Sequence, residues 1–220
     1  MIKIIKRFLP YNLKKILKYL MRLVLLPNLK LIKKLNLKYV NSNKIAFLGS
    51  DYGGWYYIDD NELFNSQIIS AGLGEDASFD IELINKYNCK VISVDPTPKA
   101  IEHYCSIINN SGKKKELKYN NTGREKVESY DLKNISKENY ILENNALFDQ
   151  ENQIVDFFKP INSDDVSHSI GNWQNDYKTD TPKIKVKTTK VKNILTKHKI
   201  DKLALLKLDI EGVEIEVIND

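Results

Sequence analysis

Apolar positions follow two rhythms along this chain, and the change comes near residue 44. Across residues 12–26, Leu13, Leu17, Leu20 and Val24 recur at steps of three and four, while Lys14, Lys18 and Arg22 take another face. That spacing predicts an amphipathic helix, with Pro10 before it and Pro27 ending it. Beyond residue 44, short apolar runs alternate with helical segments. Residues 66–71 (SQIISA) predict a strand closed by Gly72-Leu73-Gly74; residues 75–87 predict a helix with Phe79, Leu83 and Tyr87 four apart and Ile84 beside them. Residues 90–94 (KVISV) predict a second strand, ending at Asp95 and a Pro96-Thr97-Pro98 turn, and in residues 99–109 Ile101, Tyr104, Cys105 and Ile108 share one helical side. Strand, glycine turn, helix and strand make a βαβ unit, the repeating element of a parallel sheet flanked by helices. Further strands are expected at 140–148 (the third of the sheet), 153–158, 183–188 and 203–210, and residues 172–182 read as a loop. The expectation is an α/β fold with a mostly parallel sheet: a helical leader over 1–43 and a folded domain over 44–220.

Charge is as uneven as hydropathy. Residues 1–50 hold 12 of the 34 Lys and Arg and no carboxylate, the first being Asp51, so the remainder sets 22 bases against 29 acids. An acidic body repels phosphates, and nucleic acid is not an expected partner. The leader admits two readings: a basic helix lying on an anionic membrane through residues 12–26, or a helix packed on the body with its lysines solvated. Its longest uncharged stretch, 23–29, is far short of the ~20 residues that span a bilayer. No small-residue cleavage site follows, so a secretory signal is not expected either. Cys89 and Cys105 have neither CxxC spacing nor a histidine cluster. A reducing compartment follows, and the expected location is cytoplasmic, with a peripheral membrane contact as the variant.

Candidate chemistry gathers where the apolar runs end. Gly72 and Gly74 let backbone approach a ligand where a Cβ would clash, and the helix after them offers free N–H groups. Asp95 lies 21 residues beyond Gly74 at the tip of the second strand, where a carboxylate can accept from both hydroxyls of a ribose. With Ala71, Glu75 and Pro96 these form the candidate cofactor set. Gly72-x-Gly74-x-x-Ala77 also fits a loose dinucleotide pattern, so an NAD(P)-dependent oxidoreductase competes. Glu75 and Asp76 would repel a pyrophosphate and favour a cationic sulfonium, hence S-adenosylmethionine. Near the other end, Asp209 is expected at the carboxyl edge of the strand over 203–210, with Lys207 interrupting its apolar run and Glu211 either in the site or capping the next helix. His168, between Ser167 and Ser169, stands in a polar stretch suited to a hydroxylated substrate. Asp209 and His168 are the candidate general bases, and Ser169 and Glu211 the candidate substrate contacts. No third ligand accompanies Asp209 and Glu211, so no metal is expected.

Taken together, SAGLGEDASFD (70–80), SVDPTPKAI (93–101), NNALFDQENQIVDFFKP (144–160) with VSHSI (166–170), LLKLDIEGVEIEVI (205–218) and, upstream, GSDYGGW (49–55) resemble the FkbM-type methyltransferase family from about residue 45 onward. The resemblance implies a Rossmann-like class I fold that uses S-adenosylmethionine, and O-methylation of a sugar, glycan or natural-product hydroxyl. It places Gly72 and Gly74 beneath the methionine part of the cofactor, Asp95 on the ribose, and Asp209 at the end of the fourth strand, facing the site. The first glycine of a fuller G-x-G-x-G is absent. A class I domain continues with further strands after the helix that here ends at Asp220, so the resemblance implies either a sequence truncated after the fourth strand, the favoured reading, or a partner that supplies the rest. The non-enzymatic alternative is a degenerate module that binds partners through its basic leader; the retained Gly72, Gly74, Asp95 and Asp209 speak against it.

Overall fold

A computed structural model describes residues 44–160 and 167–219; the expected leader helix over 12–26 lies outside them. In chain order the regular elements are β1 (Ile45–Leu48), β2 (Trp55–Ile58), β3 (Gln67–Ala71), α1 (Ser78–Tyr87), β4 (Lys90–Val94), α2 (Pro98–Asn109), β5 (Tyr140–Glu143), β6 (Ala146–Leu147), β7 (Ile154–Phe158), β8 (Lys183–Thr189), α3 (Val191–His198), β9 (Leu203–Leu208) and α4 (Glu214–Ile218). Four strands form a parallel sheet in the order β5-β4-β3-β9. The chain builds outward from β3 to β4 and β5, then returns to add β9 on the opposite side of β3. The crevice at the carboxyl ends of β3 and β9 is therefore a topological switch point.

The two central strands show why continuous apolar runs become parallel strands here. Successive residues alternate between two cores. Ile68 and Val91 join Phe79, Leu83, Ile84 and Tyr87 of α1 on one side, whereas Ile69 and Ile92 join Ile194 of α3 and Val217 of α4 on the other. With both faces covered, neither strand has a polar face to present. By contrast β9 is half-buried along its length, in keeping with the lysine that interrupts it. Helix ends follow local chemistry. Thr97 caps α2 ahead of Pro98 in its first turn, and α1 ends on Asn88 in the left-handed region, its N–H bonded to the Ile84 carbonyl.

The segment expected as one strand over 140–148 is split. β5 closes the parallel sheet, then the Asn145 N–H folds back on the Glu143 carbonyl at 2.9 Å, and β6 joins a separate three-stranded sheet of order β6-β8-β7. The strands expected at 153–158 and 183–188 form, but in this smaller sheet, as the antiparallel pair β7–β8. Asp156 on β7 bridges Lys183 and Lys185 on β8 at 2.6 and 3.1 Å, which accounts for the lysine–apolar alternation of that run.

Candidate functional site

Gly72 leaves β3 with φ +85°, and a Cβ there would come within 2.0 Å of the Asp209 carbonyl oxygen. The glycine is thus required by the end of β9 passing against it, not by a ligand alone. Asp209 N donates to the Ala71 carbonyl at 3.2 Å, completing the contact. Asp95, only 7 % exposed, fixes the rest of the turn. One carboxylate oxygen accepts from the N–H groups of Leu73 (3.0 Å) and Gly74 (2.9 Å); the other accepts from Thr97 N (2.8 Å) and Thr97 Oγ1 (2.7 Å). Four donors fill the lone-pair positions of one carboxylate, so Asp95 ties the glycine turn to the start of α2.

The loop between β1 and β2 is fastened to the first turn of α1. Gly49 N donates to Glu82 Oε2 (2.7 Å), Ser50 N to Ser78 Oγ (2.8 Å) and Ser50 Oγ to Asp76 Oδ2 (2.6 Å). Asp76 also accepts from Ser78 N at 2.9 Å, satisfying the first N–H of α1 from one residue ahead of the N-cap, Ala77. A Cβ on Gly53 would lie 2.5 Å from Asp76 Cγ, so glycine lets the loop close down. This gives GSDYGGW a structural role: it carries Tyr52, Gly53 and Trp55 to the edge of the switch-point crevice.

That crevice is a cavity of about 310 Å³, within the range of small-molecule sites. Of the expected cofactor residues, Gly72, Gly74, Glu75, Asp95 and Pro96 line it; so do His168, Asp209 and Glu211. Ala71 is fully buried and stands outside the lining. Ser169, expected to meet substrate, is 1 % exposed and also lies outside it. Its hydroxyl donates to the Gly171 carbonyl and its backbone bridges to Phe158, which makes it an anchor for its neighbour. His168 in turn stacks on Phe157, ring centroids 5.7 Å apart. Glu211 does not cap α4. Glu214 Oε1 accepts from Ile210 N at 3.1 Å instead, while Glu211, at φ +61°, accepts from Gln174 Nε2 at 3.1 Å. Trp173 is packed over Gly171 and Gly212.

Lys207 is the residue the sequence undersold. Its side chain is 9 % exposed, and Nζ donates to the carbonyls of Gly72 (2.8 Å) and Ala71 (3.3 Å). It stands 4.0 Å from Asp209 Oδ2 and 5.3 Å from the centroid of the Trp55 ring. The only available signal was a cation inside an apolar run, which cannot say what it meets. His103 is half-buried, 2.9 Å from the Tyr130 hydroxyl. Burial pushes its imidazole down from the ordinary value against the pull of Asp76 and Glu75.

Electrostatically the cavity is acidic. Five carboxylates (Glu75, Asp76, Asp95, Asp209 and Glu211) line it beside one ammonium, Lys207. The contrast does not rest on Glu75 and Asp76, as the sequence suggested. Glu75 faces Lys99 and Arg124, each at 3.5 Å, and Asp76 is committed to Ser50 and Ser78. Asp209, about half exposed, and Glu211 carry it. Among the described residues no group of three His, Cys, Asp or Glu is placed to hold a metal ion.

Comparison with known proteins yields one family. The model described as the methyltransferase FkbM domain matches residues 69–220. Neither a curated protein nor a solved structure matches the chain.

Proposed function

The chain belongs to the FkbM methyltransferase family, and from that premise we propose that it transfers a methyl group from S-adenosylmethionine to a hydroxyl oxygen of a sugar, glycan or small natural product. One observation carries the reading: at the switch point of the parallel sheet the carboxylates of Asp209 and Glu211 face the cavity beside one lysine, while the other three acids that line it are paired or hydrogen-bonded within the protein. A cofactor bearing a sulfonium and an ammonium suits that field, whereas a pyrophosphate is repelled by it. The donor set fits as well. Leu73 and Gly74 are held in place by Asp95, whose carboxylate is filled by four protein donors, so it serves a bound cofactor by fixing the turn that the cofactor meets.

Bound there, S-adenosylmethionine supplies a methyl carbon already activated by positive sulfur. The chain's own task is then to hold an oxygen in line and to take its proton. Asp209 is the proton acceptor in this reading, because its backbone abuts Gly72 and its half-exposed carboxylate opens on the cavity. Lys207 positions it, bonding the carbonyls of the glycine turn on one side and attracting Asp209 on the other. His168, stacked on Phe157, orients the acceptor hydroxyl from the opposite wall, with Glu211 as a further acceptor of substrate hydroxyls.

Calorimetric titration of the folded chain with S-adenosylmethionine, NADH in parallel, tests the assignment. Micromolar binding of S-adenosylmethionine that is weakened in Asp95→Ala supports it. Binding of NADH instead would move the chain to the oxidoreductases, and a folded chain that binds neither would leave the degenerate-module reading standing.

A further inference from the structure

The β1–β2 hairpin has two apolar faces. Ile45 is paired with Ile58 and Phe47 with Tyr56, so these four side chains project to one side, where they are 56, 53, 39 and 77 % exposed. The alternate residues Ala46, Leu48, Trp55 and Tyr57 turn the other way, into the core that contains α1. A hairpin with one face in the core ordinarily presents polar groups on the other. Here none of the four outward cross-strand positions is polar. Phe47 and Tyr56 lie with ring centroids 5.0 Å apart, and Tyr52, in the connecting loop, is 64 % exposed. An apolar strip of this kind marks a contact surface.

The charge of the chain that leads into β1 says what it contacts. Up to Ser50 the sequence carries twelve Lys and Arg and no carboxylate. Apolar and aromatic side chains joined in sequence to a segment of one-signed positive charge match an anionic lipid surface, where rings and branched chains enter the headgroup layer and lysines meet phosphate. We propose that the outward face of the β1–β2 hairpin docks on an anionic lipid bilayer. Of the two readings of residues 12–26, this proposal takes the lipid one and adds a counterpart to it in the folded body. Among the described residues no helix is long and apolar enough to cross a membrane, and surface docking calls for none. Because the loop of the same hairpin carries Tyr52 and Gly53 to the cavity, docking also sets where one cavity wall stands relative to the bilayer.

Flotation of the full chain with vesicles of phosphatidylcholine alone, or of phosphatidylcholine with phosphatidylglycerol, tests this. The wild type should float with the anionic vesicles and less with the neutral ones, with binding weakened by salt. Phe47→Glu combined with Tyr56→Glu should lower partitioning by about tenfold or more, with thermal melting unchanged because neither side chain faces the core. A second readout does not depend on that variant: Tyr56→Trp should be quenched by brominated lipids more strongly than the wild type. Absence of wild-type binding to anionic vesicles would overturn the proposal. So would a native-melting double variant that binds as the wild type does, or Tyr56→Trp fluorescence that brominated lipids quench no more than the wild type's. A wild-type dimer on light scattering that the double variant converts to monomer would do the same, by giving the face to a second copy.

Discussion

The two walls of the cavity are built in opposite ways. On one side stand β3 and β4, buried on both faces, with a glycine turn whose N–H groups are held by Asp95 and whose carbonyls are held by Lys207. On the other, β7 is mostly half-buried and β8 presents alternate lysines to solvent, with His168 carried on the segment that bridges to Phe158. A wall fixed by backbone bonds suits a ligand that never changes. A wall made of side chains on an exposed sheet can be re-cut without unfolding the domain, and under the proposed function acceptor choice would fall there.

The sharpest way to break this contrast is at Gly72. Gly72→Ala puts a Cβ on the Asp209 carbonyl in a left-handed backbone and should cost about 3 kcal/mol or more in urea unfolding. A cost under about 1 kcal/mol would mean that the turn yields and the rigid wall is not rigid. Next comes Asp95→Ala, which frees four donors at once. Cofactor affinity should fall by ~1.5–3 kcal/mol by calorimetry, and stability should fall with it. Affinity lost with stability intact would mean that Asp95 serves the ribose and not the turn.

His168→Ala probes the looser wall. Cofactor affinity and melting should stay at wild-type values while turnover drops by about tenfold; loss of cofactor affinity would erase the division between the walls. The smallest effect lies at the seam. Glu143 ends β5 where the chain leaves the parallel sheet, bound by Lys197 Nζ at 2.8 Å and His198 Nε2 at 2.6 Å on α3. Burial acts to raise its pKa, but the bonds from Lys197 and His198 outweigh it and hold the carboxyl below the ordinary range. A depressed carboxylate contributes stability above its unfolded pKa and loses it as pH falls through the folded one. Glu143→Gln should therefore remove about 1 kcal/mol at neutral pH, discounted for the exposure of Lys197, and make no difference in acid. An equal loss at both pH values would point to packing alone.

Legibility in the sequence follows the same division. The run from β3 to α2 could be read to within three residues at each boundary, because burial on both faces leaves continuous apolar runs and glycine or proline marks most ends. What the elements meet was harder. Gly72 suggested a ligand where the nearest neighbour is the Asp209 carbonyl, and Asp95 suggested a free acid where four protein donors already converge. Lys207 registered only as an interruption, since a sequence does not say that the carbonyls of Ala71 and Gly72 lie beside it, 136 and 135 residues away. The split of 140–148 escaped because a two-residue strand has no periodicity to detect.

The four bonds on Asp95 have a consequence for how a ligand arrives. A turn that is already ordered has met its conformational entropy cost during folding, so none of that cost is charged to association. Cofactor capture should then proceed as a single bimolecular step, its observed rate rising linearly with concentration, with no plateau from a loop that must first find its shape.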